Sequence, residues 1–184
     1  MGRGVAVPHA MRKTRQSEVR LPRIMVVCTG NICRSPMGQV VFARALARAG
    51  VPAIVESAGT SDEEAGHPID LRARDALEER DYEVPEHGAR LVTAGDLAER
   101  DLVLAMTHGH FRSLERLAAR SGAAIEIRMV REFDPAFAGQ VPSPRLDIDD
   151  PWWGTRPDFI QALDEIEAAA AGIVAWARAW RLRG

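Results

Sequence analysis

The 184-residue chain has only two cysteines, and both fall in one short segment, Val27-Cys28-Thr29-Gly30-Asn31-Ile32-Cys33-Arg34-Ser35-Pro36. A thiol and a guanidinium with five residues between them suit phosphoryl transfer to sulfur. The nucleophile of that reaction must be a thiolate, although a free cysteine titrates near ~8.5. A helix N-terminus and a neighbouring arginine both favour the thiolate. If the segment curls around Cys28, successive backbone N–H groups of Thr29, Gly30, Asn31, Ile32, Cys33 and Arg34 form a concave nest for an anion. Gly30 tolerates positive φ without penalty, and Asn31 is the next most tolerant type. Arg34 offers a planar fork for two equatorial phosphate oxygens. Ser35 can donate its hydroxyl to the thiolate. The nest and Arg34 between them neutralise the oxyanion, so the expected site uses no metal and no cofactor. Two cysteines also exclude a disulfide framework, and without clustered histidines they make poor zinc ligation.

A phosphate ester cleaves faster when a carboxylic acid protonates its leaving oxygen, and the same carboxylate can then activate water. Asp150-Pro151-Trp152-Trp153-Gly154 offers such an acid, far in sequence from Cys28. Pro151 stiffens the backbone beside Asp150. Asp147 and Asp149 are neighbouring carboxylates, and a turn or helix-capping aspartate is the plain alternative for Asp150. Trp152 and Trp153 are either core residues or a wall for a flat aromatic group.

These groups need a scaffold. Residues 23–28 form a short apolar run bounded by Pro22 and Gly30, which predicts a buried strand. Residues 35–49 turn helical, with Ser35 as N-cap, Pro36 at the first helical position and Gly50 as terminator. A second strand is expected at 53–56, a second helix at 71–80, a third strand at 101–106 and a helix at about 109–120. A fourth strand at 125–130 leads into a Pro- and Asp-rich loop over 133–154. The chain closes with a long helix from about Pro157, whose apolar face is Phe159, Leu163, Ile166, Ala170, Ile173, Ala177 and Trp180. Strands alternating with helices predict an α/β, three-layer sandwich: a central, four-stranded parallel sheet with helices on both faces. Ligands are then expected at the carboxyl ends of the strands, where Cys28 lies.

The decapeptide resembles the phosphate loop of the low-molecular-weight protein tyrosine phosphatases, Cys-x-Gly-Asn-Ile-Cys-Arg-Ser-Pro. Glu56-Ser57-Ala58-Gly59-Thr60, Gly66-His67-Pro68-Ile69-Asp70, His87-Gly88-Ala89-Arg90 and Asp101-Leu102-Val103-Leu104-Ala105-Met106 are similar to further segments of that family. The resemblance spans about residues 23–183. It implies the phosphotyrosine protein phosphatase I-like fold and hydrolysis of protein phosphotyrosine through a phospho-cysteine on Cys28. Arg34 would bind phosphate and Asp150 would be the general acid and base. It further implies that Asn31, Ser35 and His87 support the loop, and that Trp152 and Trp153 flank the substrate. Three departures stand out. Glu63 occupies a position where an aromatic often faces the substrate, which disfavours acidic phosphopeptides. Thr107 stands where an Asp is usual, and Gly38-Gln39 replace a common Ala-Glu.

Related activities leave different marks. Protein arginine phosphatases of this fold tend to have Thr where Ile32 stands. Arsenate reductases need cysteines beyond Cys33, and none follows. A non-catalytic phosphoprotein-binding module would lack Cys28, Arg34 or Asp150, and all three are present. His108 and His110 lack clustered partner ligands and read as polar residues at a helix start, and His67 as a loop residue. Cys33 lies close enough to Cys28 for a reversible disulfide, or is a small packing residue.

The domain is expected to occupy 23–184, preceded by a basic extension, 1–22. Residues 1–23 carry Arg3, Arg12, Lys13, Arg15, Arg20 and Arg23 against Glu18 alone. Such a leader can touch nucleic acid or membrane, or be a solvated, mostly disordered tail. The tail is the simpler reading, so neither nucleic acid nor membrane is an expected partner. No apolar stretch of signal-peptide length follows these charges, and the default location is cytoplasmic. The expected state is a monomer or weak dimer acting on phosphotyrosine proteins. Lys13 is the only lysine, a bias that suggests a GC-rich, bacterial genome.

Overall fold

The computed structural model describes residues 20–183, so the expectation for residues 1–19 lies outside the described residues. At the edge of that region Arg20 pairs with Asp101 at 2.7 Å and lies over the Trp180 ring.

Four parallel strands form the sheet: β1 (Arg23–Cys28), β2 (Ile54–Gly59), β3 (Leu102–Ala105) and β4 (Glu126–Met129), in the order β2-β1-β3-β4. β1 is central, in register from Arg23↔Ile54 to Cys28↔Gly59 on one side and from Ile24↔Leu102 to Val27↔Ala105 on the other. Its continuous apolar run follows from burial on both faces. Ile24, Val26 and Cys28 join one core, while Met25 and Val27 join the other. The first core lies under α1 (Arg34–Arg48), α2 (Leu71–Glu78) and α5 (Arg156–Arg183); the second lies under α3 (Ala94–Glu99) and α4 (His108–Ser121). The result is the three-layer α/β sandwich. Because the chain leaves β1 toward β2 and later returns to β3 on the other side, the crevice at the carboxyl end of β1 is the switch point of the sheet.

Several boundaries differ from the sequence reading. β2 runs on to Gly59, because Glu56, Ser57 and Ala58 keep pairing with β1 although Glu56 and Ser57 are polar. α3 was not foreseen. It has only six residues, yet Thr93 and Asp96 close a reciprocal capping box at its start. Ser35 is not the N-cap of α1. Cys33 holds that position without a side-chain bond, and the Ser35 hydroxyl turns inward instead. Along α5 the buried face is Phe159, Ala162, Leu163, Ile166, Ala169, Ile173, Val174 and Ala177, with Ala170 and Trp180 only half-buried. The 3.6-residue period carries the stripe through Ala169 where strict four–three spacing selects Ala170. The loop over 133–154 is largely a series of short 3₁₀ turns, three of them opened by Pro135, Pro144 and Pro151. No described helix is long and apolar enough to cross a membrane.

Candidate active site

The segment after β1 wraps into a tight loop that ends as the first turn of α1. Its one left-handed residue is Asn31, at φ 60°, whereas Gly30 keeps negative φ. Asn31 is fully buried and its side chain organises the loop. Nδ2 donates to Ser35 Oγ and to Ser57 Oγ, both at 2.9 Å, while Oδ1 accepts the Arg90 N–H at 3.0 Å. All three bonds compensate the cost of the left-handed backbone. Ser57 in turn donates to Gln39 Oε1 at 2.6 Å. Because Ser35 Oγ already accepts from Asn31, its own proton is free to point at Cys28 Sγ, 3.0 Å away. The His87 ring sits 2.6 Å from the Asn31 carbonyl oxygen and donates to it through Nε2. Gly59 makes the fold of this loop possible: a Cβ there would lie 2.4 Å from the Thr29 carbonyl oxygen and 3.2 Å from the Asn31 nitrogen.

Arg34 is buried at 3% exposure. It donates to the Ile148 carbonyl at 2.9 Å and pairs with Asp150 Oδ2 at 2.5 Å. Its Nε–H is buried and has no hydrogen-bond partner among the described residues. Asp150 caps the short turn that follows it, accepting the Trp152 N–H at 3.2 Å. Asp147 is taken up elsewhere, accepting the His108 N–H at 2.6 Å, and Asp149 is exposed.

A cavity of about 250 Å³ opens over the loop, lined by Cys28, Thr29, Gly30, Ile32, Cys33 and Arg34 below and by Glu63, Glu64, Asp150, Trp152 and Trp153 around its mouth. The two indoles meet edge to face, with centroids 6.4 Å apart. Trp152 packs against the core, and Trp153 stands 92% exposed. Arg72 lies beneath Trp152, donating to its carbonyl at 3.2 Å and to Asp70 at 2.9 Å. A wider groove beside α1, lined by Arg44 and Tyr82 among others, is remote from these groups.

Burial, reinforced by the negative charge of Asp70, pushes the Cys33 thiol far above its ordinary range, so it stays protonated. Both cysteines are free. The sequence reading brought Cys28, Arg34, Ser35, Asn31, His87, Asp150, Glu63, Trp152 and Trp153 into consideration, and all of them border the loop or its cavity. It gave no role at the site to Ser57, Gln39, Arg90 or His110, whose partners there are distant in sequence, nor to Glu64 at the cavity mouth. His110, set aside as a helix-start residue, is 7% exposed and sits 2.9 Å from the Thr29 hydroxyl. Burial first, and the Arg34 charge second, push its imidazole down to about 4, with Asp150 opposing. His67 pairs with Glu64 at 2.7 Å. Among the described residues, no group of three His, Cys, Asp or Glu is arranged to hold a metal ion.

The sequence profile of the low molecular weight phosphotyrosine protein phosphatases matches residues 23–179. The chain belongs to this family. A low molecular weight protein-tyrosine-phosphatase of Streptomyces coelicolor is 40% identical over 158 residues, which is 85% of this chain and 93% of that protein. Low molecular weight protein-tyrosine phosphatase A of Mycobacterium tuberculosis is 37% identical over 155 residues, 83% and 90% of the two chains. Among solved structures, Vibrio vulnificus Wzb in complex with benzylphosphonate superposes with a TM-score of 0.68 at 29% identity, covering 87% of this chain and 99% of that one. The arginine phosphatase YwlE, carrying a phosphorylated active-site serine, superposes with a TM-score of 0.69 at 28% identity, covering 85% and 95%.

Proposed function

We propose that this member of the low molecular weight family hydrolyses phosphotyrosine in proteins through a covalent phosphocysteine on Cys28. The observation that carries the reading is the convergence of three groups at one cavity. They are Cys28 Sγ at its floor, Arg34 with a buried unpartnered Nε–H beside it, and Asp150 in contact with Arg34 at its rim.

Sγ attacks phosphorus and the bond to the tyrosyl oxygen breaks. The backbone N–H groups of residues 29–34 and the Arg34 fork stabilise the three equatorial oxygens as charge spreads over them. Asp150 gives its proton to the departing phenolate. An entering phosphate dianion competes for the Arg34 guanidinium and disfavours a second negative charge nearby, so it favours the protonated carboxyl needed for this step. In the second step the Asp150 carboxylate takes a proton from water as its oxygen attacks phosphorus. The S–P bond then breaks, and Ser35 donates its hydroxyl proton in a hydrogen bond to the leaving thiolate. Asn31 and His87 hold the loop in shape through both steps. Trp152 and Trp153 wall the cleft for a flat ring, and Ile32 lines its floor with an apolar side chain. Glu63 and Glu64 make the mouth acidic and select against acidic flanking residues. A thiolate nucleophile requires a reducing compartment, which favours the cytoplasm.

The test is turnover of p-nitrophenyl phosphate, a phosphotyrosine peptide and phosphoarginine by wild type, Cys28→Ser and Asp150→Ala. Turnover of the peptide that needs Cys28 and slows without Asp150 is expected. Activity confined to phosphoarginine would retain the chemistry and overturn the substrate, and a folded wild type with no turnover would overturn the reading altogether.

A further inference from the structure

Two parts of the site come from distant stretches of chain, and both rest on the junction where β3 leads into α4. The acid loop is tied there by the Ile148 N–H, which donates to the Met106 carbonyl at 2.9 Å, and by Asp147, which accepts the His108 N–H at 2.6 Å. The phosphate loop is tied there by one side chain. His110 Nε2 is 2.9 Å from Thr29 Oγ1, and His110 Nδ1 is 2.9 Å from Thr107 Oγ1. Thr29 follows the nucleophile directly, and its backbone is the first segment of the anion nest.

We propose that His110 is a positioning residue for phosphate binding: its neutral imidazole bridges Thr107 and Thr29, fixing the start of the phosphate loop in register with the acid loop. A neutral ring carries one N–H, so one threonine must donate to it and the other accept from it. Thr107 Oγ1 already accepts the His110 backbone N–H at 3.2 Å. With the Thr107 proton given to Nδ1, Nε2–H donates to Thr29, so each end of the bridge joins one donor to one acceptor. The charged groups near the ring are Arg34 on α1 and Asp150 on the acid loop, and burial beside the former keeps the imidazole neutral. An Asp at position 107 would pair with a charged imidazole, and Thr107 removes that option. The departure at Thr107 therefore goes with a bridge whose proton state does not change around neutral pH.

The inference rests on the phosphate-loop reading above, and the experiment separates the two. Binding of inorganic phosphate, followed by tryptophan fluorescence, and kcat/KM for p-nitrophenyl phosphate are measured for wild type, His110→Gln, His110→Asn, Thr29→Val and the His110→Asn/Thr29→Val double variant, alongside thermal unfolding. Gln places an amide where Nε2 stands and keeps the Thr29 contact, whereas Asn reaches only the Nδ1 position. The expected result is a loss of about five- to tenfold in phosphate affinity and in kcat/KM for His110→Asn, matched by Thr29→Val, with no further loss in the double variant and recovery in His110→Gln. Equal behaviour of the Gln and Asn variants, or losses that multiply in the double variant, would overturn the bridge. So would variants that differ from wild type only in melting temperature. Wild type that binds phosphate but leaves phosphotyrosine untouched would overturn the functional reading and leave the bridge standing; wild type that binds no phosphate would overturn both.

Discussion

The two halves of the site are built on opposite plans. The phosphate loop is buried and cross-braced: Asn31 alone joins Ser35, Ser57 and Arg90, and His87 secures its carbonyl from a fourth direction. The acid loop is tied down at its base, by Asp147, by the Ile148 main chain, by Arg34 and by Arg72 under Trp152, but its outer residues meet solvent, with Asp150 44% and Trp153 92% exposed. A cradle for an anion of fixed shape gains from being preorganised, because its dipoles need not reorient as charge develops. A wall against a variable protein surface gains from being yielding. The difference between the halves therefore follows the difference between a phosphoryl group and the polypeptide that carries it.

The sharpest way to break this contrast is at the acid. Asp150→Ala is expected to lower kcat on a phosphotyrosine peptide by about 10²–10³-fold, with a smaller loss on p-nitrophenyl phosphate, whose leaving group needs less protonation. Steady-state kinetics on both substrates checks it, and urea unfolding should show a loss of about 1 kcal/mol as well, since the substitution leaves the buried Arg34 without its carboxylate and uncaps the turn that follows. Next in size is Asn31→Ala. It removes the two donors, the acceptor and a residue type that tolerates positive φ, so it should cost about 3 kcal/mol in urea unfolding and impair turnover as well. Trp153→Ala is the counterpart on the yielding side. It should raise KM for peptides while shifting unfolding by no more than about 0.5 kcal/mol.

A pH experiment probes the buried side further. The unfolded His110 protonates near its usual ~6.5, but in the fold it stays neutral to about 4, so the unfolded state binds more protons in between. Stability is thus fully present above pH 6.5 and falls as pH drops through that window, by up to about 3 kcal/mol from this residue. His110→Gln should flatten that part of the acid-side decline, measured by urea unfolding at pH 7 and pH 4.5. The smallest effect belongs to the rim. Glu63→Gln should raise kcat/KM for a peptide with acidic neighbours about two- to threefold over one with neutral neighbours, and added salt should shrink the gap.

The sequence revealed what is written locally. The strand–loop–helix from Arg23 onward, the parallel architecture and the Cys28–Arg34 loop all follow from contiguous patterns. The place of Asp150 at the cavity was legible only through the resemblance of its Asp-Pro-Trp-Trp-Gly segment to the family's, since an aspartate before a proline reads equally well as a turn cap. What escaped depends on partners brought together only by folding. Ser57 and Gln39 gain meaning once Asn31 turns left-handed between them, and His110 once α4 packs against the phosphate loop. Ser35 misled for the same reason: its type suits an N-cap, but the Cys28 sulfur and Asn31 compete successfully for its hydroxyl. α3 did carry a local signal, the Thr93–Asp96 box, in a helix too short to show a period.

Arg72 reaches both flanks of the cleft. Its carboxylate partner, Asp70, also donates its own N–H to the Ile32 carbonyl at 2.8 Å, and the guanidinium lies against the Trp152 ring and under its carbonyl. One arginine side chain is therefore the spacer between the floor of the cleft and its aromatic wall. The backbone beneath the phosphate loop and the indole wall above it are thus joined through α2, from outside the reacting groups themselves.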